Sequence, residues 1–515
     1  MFLENNEGIQ TVKSVCPQRT SPFLKDIIFT TVVTVVVAIC NIIIIRLIAK
    51  GLGAEELGVY TLVRRTVATV LPLSSLSIGI GLARYIALYE GKGERTESIL
   101  PVAFILSSST SLLVCLTLFP FSGYLSEVIF NKEGMEIPFR LILFLLFGES
   151  LFTCLYSYYR GRHNMFYANI WGFLVMGIMP LFITLLTVHM NDVTYIIFGL
   201  GMMFYLSLFA LVPKIVDGLR KTDYVELKAT ARKLMHYSIP RAPGGLASTF
   251  IFSFGVLVSP YTGSIVHAAY MSIGIWILQI LQTATESFGL VVLPKAASIL
   301  GRGSEEYLAN KLRSMYDFIL HVGLFTVIQL FLILDFLIYL WVGKEYTDAV
   351  PIARIIILSM IFFFYYTMMR NIIDAVETRP INAINMYLGL LVTILSTLIF
   401  IKFGFGVFGL AIGLNLGLIT LGVLTYLFMI RRYHINLLPD RFYPIMIVNM
   451  LLGFCIYFIK YNMMSNQYGY RNFAVTLAAQ IMCGMIYIII LKKLDVTWIR
   501  DIEDRINYQK PVSVE

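Results

Sequence analysis

Apolar runs recur along this chain from end to end, each long enough to cross about 30 Å of hydrocarbon, and no other feature constrains its fold as strongly. At a rise of 1.5 Å per residue a crossing takes about 20 helical residues. Fourteen runs qualify, near residues 26–48, 59–88, 98–121, 138–160, 166–188, 193–213, 239–260, 267–293, 314–341, 350–375, 381–402, 406–430, 442–461 and 472–492. Lipid offers the backbone no hydrogen bonds, so each run must satisfy its own N–H and C=O groups as a helix. The expected fold is therefore all-α, a polytopic membrane protein of about 14 transmembrane helices. With 58% hydrophobic and only 14% charged residues, and a mean hydropathy of +0.78, no stretch is left for a soluble domain.

The net charge of +9 raises the question of nucleic acid, but the basic residues form no tract. They fall in short clusters between apolar runs, which is a topology signal. An even helix count puts both termini on one side. The loops on that side hold about 28 Lys and Arg, against about 7 on the other, which predicts a cytoplasmic N- and C-terminus in a plasma or inner membrane. The six cysteines stand far apart with no metal-ligand spacing and read as packing residues. The first 25 residues lack a compact apolar core, so the first run reads as a retained signal anchor rather than a cleaved signal peptide.

The longest loop, 214–237, is basic and follows the sixth helix. A shift of about 210 residues lays Gly58-Val59-Tyr60 on Ala268-Ala269-Tyr270, and Asn131-Lys132-Glu133 on Gly343-Lys344-Glu345. Two parallel six-helix repeats are expected: residues 1–213 with a cytoplasmic N-tail, and 238–430, joined by the 214–237 linker. Residues 431–515 then supply two extra helices and a cytoplasmic tail.

Three stretches carry a family resemblance: RLIAKGLGAEELGVY from Arg46 to Tyr60, VLPKAAS from Val292 to Ser298, and LWVGKEYTDA from Leu340 to Ala349. With the 6+6+2 plan, the chain resembles the polysaccharide-transporter, or oligosaccharide flippase, branch of the multidrug/oligosaccharidyl-lipid/polysaccharide flippase superfamily. The resemblance implies two bundles around a central cavity. By alternating access they would carry an isoprenoid-diphosphate-linked oligosaccharide, such as one on undecaprenyl diphosphate, to the outer leaflet for cell-surface polysaccharide biosynthesis. It further implies cavity arginines on the diphosphate, the last two helices around the lipid tail, and a polymerase and glycosyltransferases as partners beside membrane lipids. No cofactor is implied beyond a coupling H⁺ or Na⁺.

Ionisable groups inside the membrane cost at least about 2.5 kcal/mol each, so those far from helix ends mark candidate sites. Arg64 and Arg65 lie roughly 7 Å inside the second helix. Arg64 shares a small, polar face with Ala68, Ser75 and Gly79, which favours it for the cavity. Arg65 lies with Leu76 and Ile80 on an apolar face, and snorkelling to headgroups is the alternative for both. Arg84, near the inner end, is expected to snorkel. Arg241, in the doubly proline-broken start of the seventh helix, faces either a diphosphate at the inner mouth or lipid phosphate. Arg46 stands opposite the Thr30, Thr34, Asn41 stripe and is the weaker cavity candidate. The eighth helix presents Ser272, Gln279, Gln282, Thr283 and Glu286 on one face, a natural sugar or ion path. Glu149, stacked with Thr153, Tyr156 and Arg160, and Asp317 with His321 and Asp335, are the other candidate ion-coupling carboxylates. Asp335 is expected to tie to Arg354. Multidrug antiport is disfavoured because residues 27–45 hold no acid, and a membrane glycosyltransferase because no loop is large. A lipid-II flippase of peptidoglycan synthesis stays open beside the repeat-unit flippase.

Overall fold

The computed structural model describes residues 20–301, 305–376, 380–433, 441–463, 469–496 and 498–500; the side chains of 20–25, 27, 284–301, 305–309, 311, 375–376, 433 and 463 lie outside the description. The chain is helical throughout its described length: α1 (Thr20–Gly51), α2 (Ala54–Ser74), α3 (Ile78–Lys92), α4 (Ile99–Leu118), α5 (Ser122–Phe130), α6 (Glu136–Gly161), α7 (Met165–Phe173), α8 (Met179–Thr187), α9 (Val193–Ser207), α10 (Val212–Lys221) and α11 (Tyr224–Ser238). It continues as α12 (Ala242–Val258), α13 (Val266–Gly301), α14 (Glu305–Trp341), α15 (Ala349–Ile357), α16 (Met360–Val376), α17 (Ile381–Lys402), α18 (Gly406–Tyr433), α19 (Phe442–Met463) and α20 (Tyr470–Lys493). Each of the fourteen apolar runs lies on a helix or a helix pair. Eleven spans are long and apolar enough to cross a membrane, and two bent pairs, α2–α3 and α15–α16, raise that to 13; α13 carries the remaining run.

The helices are inverted relative to a soluble bundle. Leu113, Leu116, Phe182 and Phe454 are each more than 60% exposed, a surface only lipid tolerates. Small and polar residues pack inside. Ser107 and Ser150 share a buried hydrogen bond of 2.9 Å between α4 and α6, and Gly413 and Gly417 of α18 let Thr397 and Thr393 of α17 approach closely.

The break in the second span has a clear cause. Ser77 N–H donates to Pro72 O at 3.1 Å and Leu76 N–H to Leu73 O at 3.1 Å, the paired bonds of a Schellman C-cap. Leu76 and Ser77 both adopt left-handed backbone, with φ of 48° and 52°, and α3 leaves at 53° to α2. Between α15 and α16 the bend is 47°; there Asn415 Nδ2 donates to the Ile355 carbonyl at 2.5 Å.

Helices from the first and second halves of the chain pack along α2, with Gly245 of α12 against Pro72, and hydrogen bonds tie them at the end where α1 turns into α2. Trp341 Nε1 donates to Ile42 O at 2.9 Å and Tyr346 Oη to Ala49 O at 3.2 Å. Arg46 donates to Leu340 O and, at 3.0 Å, to Trp341 O. Asn131 and Tyr261 add bonds to Pro260 O and Val128 O. Gly58 sits so close to Ile265 that a Cβ would lie 2.5 Å from its carbonyl oxygen. The last two helices are fastened to α14: Lys460 of α19 donates to both oxygens of Asp335 at 2.6 and 2.5 Å and to Leu332 O at 2.7 Å.

Candidate functional site

Beneath that closed end, α1, α2 and α13 line a partly open cavity of about 300 Å³. Tyr60, Arg64 and Ala68 form one i, i+4 ridge of α2 and Thr61 and Arg65 the adjacent one, and both ridges line it. This corrects the expectation for Arg65. The cavity accepts a face wide enough for two neighbouring ridges, so an apolar lower half of the Arg65 ridge does not turn its guanidinium away. Ala38 and Asn41 enter from α1, as the polar stripe anticipates, and Trp276, Gln279 and Thr283 from α13.

The two arginines are held differently. Arg64 Nη1 donates to Glu149 Oε2 of α6 at 3.4 Å, with the carboxylate side chain only 13% exposed. Arg65 Nη2 donates to the neutral Gln279 Oε1 at 3.4 Å. Among the described side chains here, two guanidinium charges thus face one carboxylate, leaving a net positive charge. Such a site suits an anion that brings more than one negative oxygen, because each guanidinium offers a planar fork of donors.

The other sequence candidates distribute as follows. Glu149 is paired across the bundle with Arg64, not along its own helix with Arg160, whose guanidinium lies 5.6 Å from the Tyr156 ring centroid. Arg46 does not line the cavity, because two main-chain carbonyls of α14 take its guanidinium. Gln282 is half-buried but stands outside the cavity lining. Arg84 and Arg241 lie at the far end of the bundle, exposed, both over the Tyr237 ring, at 4.1 and 3.6 Å from its centroid. The expected broken helix start at Arg241 is a short 3-10 turn, Ile239–Arg241, and its guanidinium folds back to donate to Tyr237 O at 2.6 Å. Asp317 and His321 are both 1% exposed and far from the cavity, in the shell where Trp498 Nε1 donates to His321 Nδ1 at 3.2 Å. The Glu286 side chain falls outside the described residues. Asp335 does meet Arg354, at 3.9 Å, but its close partner is Lys460. Sequence reasoning passed over Lys460 because it stands alone in its run; its depth inside an apolar helix was the available signal.

The arrangement, helices closed at one end over a basic cavity, is a fold that solved flippase and transporter structures share. The structure is similar to the lipid II flippase MurJ in an inward closed conformation, with a TM-score of 0.65 and 15% identity over 91% of this chain and 99% of that one. It is also similar to an inward-facing multidrug resistance MATE family transporter of the MOP superfamily, with a TM-score of 0.63 and 16% identity over 78% and 95%. The uncharacterized membrane protein MJ1068 of Methanocaldococcus jannaschii is 19% identical over 434 residues, 80% of this chain and 85% of that protein. Residues 23–301, more than half of the chain, match the polysaccharide biosynthesis protein family, and the chain belongs to that family. It shares its fold with that flippase and that transporter.

Proposed function

We propose that the protein is a flippase that moves an isoprenoid-diphosphate-linked oligosaccharide repeat unit from the inner to the outer leaflet for cell-surface polysaccharide assembly. The observation that carries this reading is the adjacent pair Arg64 and Arg65 lining one cavity, one paired to Glu149 and the other to the amide of Gln279. A cavity of about 300 Å³ is at the small end for ligand sites. It matches a diphosphate held between the halves, with the glycan accommodated as they part. In this reading the closed end is the outer one, the termini and the 214–237 loop are cytoplasmic, residues 1–213 and 238–430 rock against each other, and a polymerase and glycosyltransferases work alongside. Glu149 is the counter-ion that the diphosphate replaces, and it is the described carboxylate best placed to couple transport to H⁺ or Na⁺.

The test is a proteoliposome assay in which a fluorescent isoprenoid-diphosphate oligosaccharide changes leaflet. Wild-type protein should move the label, and Arg64→Ala should not. A protein that moves lipid II but ignores a peptide-free glycan would instead be a peptidoglycan-precursor flippase. Movement of organic cations alone would place it with the multidrug antiporters.

A further inference from the structure

A groove of about 360 Å³ lies apart from the central cavity and shares none of its lining residues. Ile328 and Phe331 of α14, Leu358 at the break between α15 and α16, and Met450, Phe454 and Tyr457 of α19 line it. Of its lining side chains only that of Tyr457 carries a polar group. Leu358, Phe454 and Tyr457 are exposed, so the groove opens sideways, where hydrocarbon surrounds a spanning helix.

Charges crown one end of this groove. Arg354 Nε donates to the carbonyl of Phe331 at 3.2 Å, with the guanidinium 5.0 Å from that residue's ring centroid, and Lys460 donates to the carbonyl of the next lining residue, Leu332, at 2.7 Å. Lys460 Nζ also takes both oxygens of Asp335, at 2.6 and 2.5 Å, whereas Arg354 approaches that carboxylate only to 3.9 Å. Two cations against one carboxylate leave one positive charge, and the Arg354 side chain is 31% exposed. The depth of these groups matches one leaflet. Asp335 stands about 9 Å from the end of α14 at Trp341, and the α14 lining runs on to Val327, about 21 Å in. The charges therefore lie near the phosphate and glycerol level at the closed end, and the groove lies among the acyl carbons below it. Along α19 the lining from Met450 to Tyr457 measures about 10 Å, within the reach of an acyl chain and far short of a long isoprenoid.

We propose that this groove is a binding site for an anionic phospholipid of the leaflet at the closed end. The Arg354 guanidinium meets the phosphate, whose oxygens suit its planar fork of donors, and one acyl chain fills the groove across the α15–α16 break. Asp335 does not repel the headgroup, because Lys460 neutralises it. The inference stands on its own residues and does not depend on what the central cavity transports.

Native mass spectrometry of the full chain in detergent, titrated with phosphatidylglycerol or phosphatidylcholine, tests it. Wild type should hold a phosphatidylglycerol severalfold more tightly than a phosphatidylcholine, whose choline cancels the phosphate charge. Arg354→Gln should weaken phosphatidylglycerol retention about tenfold, the effect of one hydrogen bond to a charged group, and erase the preference. Leu358→Trp keeps every charge but fills the groove, and should weaken both lipids alike, so the outcome does not hang on one variant's folding. The control Arg140→Gln removes another arginine at the closed end, one paired with Glu136 at 3.0 Å, and should leave retention unchanged. Equal retention of the two lipids by wild type, wild-type retention in either groove variant, or an equal loss in the control overturns the proposal. Displacement of the phospholipid by an equimolar isoprenyl phosphate would assign the groove to a carrier lipid and overturn it as well.

Discussion

Arg64 and Arg65 differ by one position in the chain and by one charge in their surroundings. Removing Arg64 leaves Glu149 buried without its cation, whereas removing Arg65 leaves only an amide short of a donor. Arg64→Ala should therefore cost stability of about 1–3 kcal/mol as well as transport. The double variant Arg64→Ala, Glu149→Gln should recover much of that stability with no recovery of transport. Thermal unfolding in detergent beside the leaflet assay separates the two, and a stable double variant that still transports would sink the cavity assignment. Arg65→Ala should abolish transport as fully as Arg64→Ala while leaving the unfolding temperature nearly unchanged, with Arg65→Lys partly active. The membrane depth of both arginines was legible in the sequence, because apolar runs measure depth directly. Glu149 as the partner was not. Helical periodicity ranks neighbours on one helix, and the neighbour that matters comes from α6.

At the level of helices, the fourteen spans were readable because lipid makes hydrophobic length nearly equivalent to helix. Their breaks and ties were not. Pro72 stands inside α2, but what ends the helix is a capped turn with Leu76 at the left-handed position that glycine usually fills. That conformation costs a non-glycine residue about 1–2 kcal/mol. Leu76→Gly should therefore hold or raise stability, by up to about 1 kcal/mol, whereas the β-branched Leu76→Ile should lower it. A lower unfolding temperature for the glycine variant than for the isoleucine variant would refute the strain. The Lys460–Asp335 pair is each 13% exposed in its side chain and is the polar tie of α19 to α14. Lys460→Ala should cost about 3–5 kcal/mol in unfolding measurements and loosen α19 and α20 toward proteolysis. Lys460→Met with Asp335→Leu should cost much less. Equal losses in both would mean that the ion pair does not fasten these helices.

Across the whole molecule, the seam between the halves is closed by Arg46, Trp341, Tyr346, Asn131 and Tyr261 and by the approach of Gly58 to Ile265. A side chain at position 58 must push the halves apart. Gly58→Leu should therefore expose a cysteine placed at Ala38, in the cavity, to a membrane-impermeant maleimide added from the α1–α2 side, while wild type protects it. Protection in both would show that the seam does not gate the cavity. The seam has a further property. In every one of these bonds a side chain donates to a main-chain carbonyl, so the residue that supplies the acceptor contributes nothing through its identity. Leu340, Ile42, Ala49, Pro260 and Val128 can drift among residues of similar size without breaking the closure, and only the donors are held. Bonds built this way let their acceptors diverge and still shut, so a comparison of related sequences would find positions changing in step only where side chain meets side chain, at Arg65 with Gln279, or where space is shared, at Gly58 with Ile265.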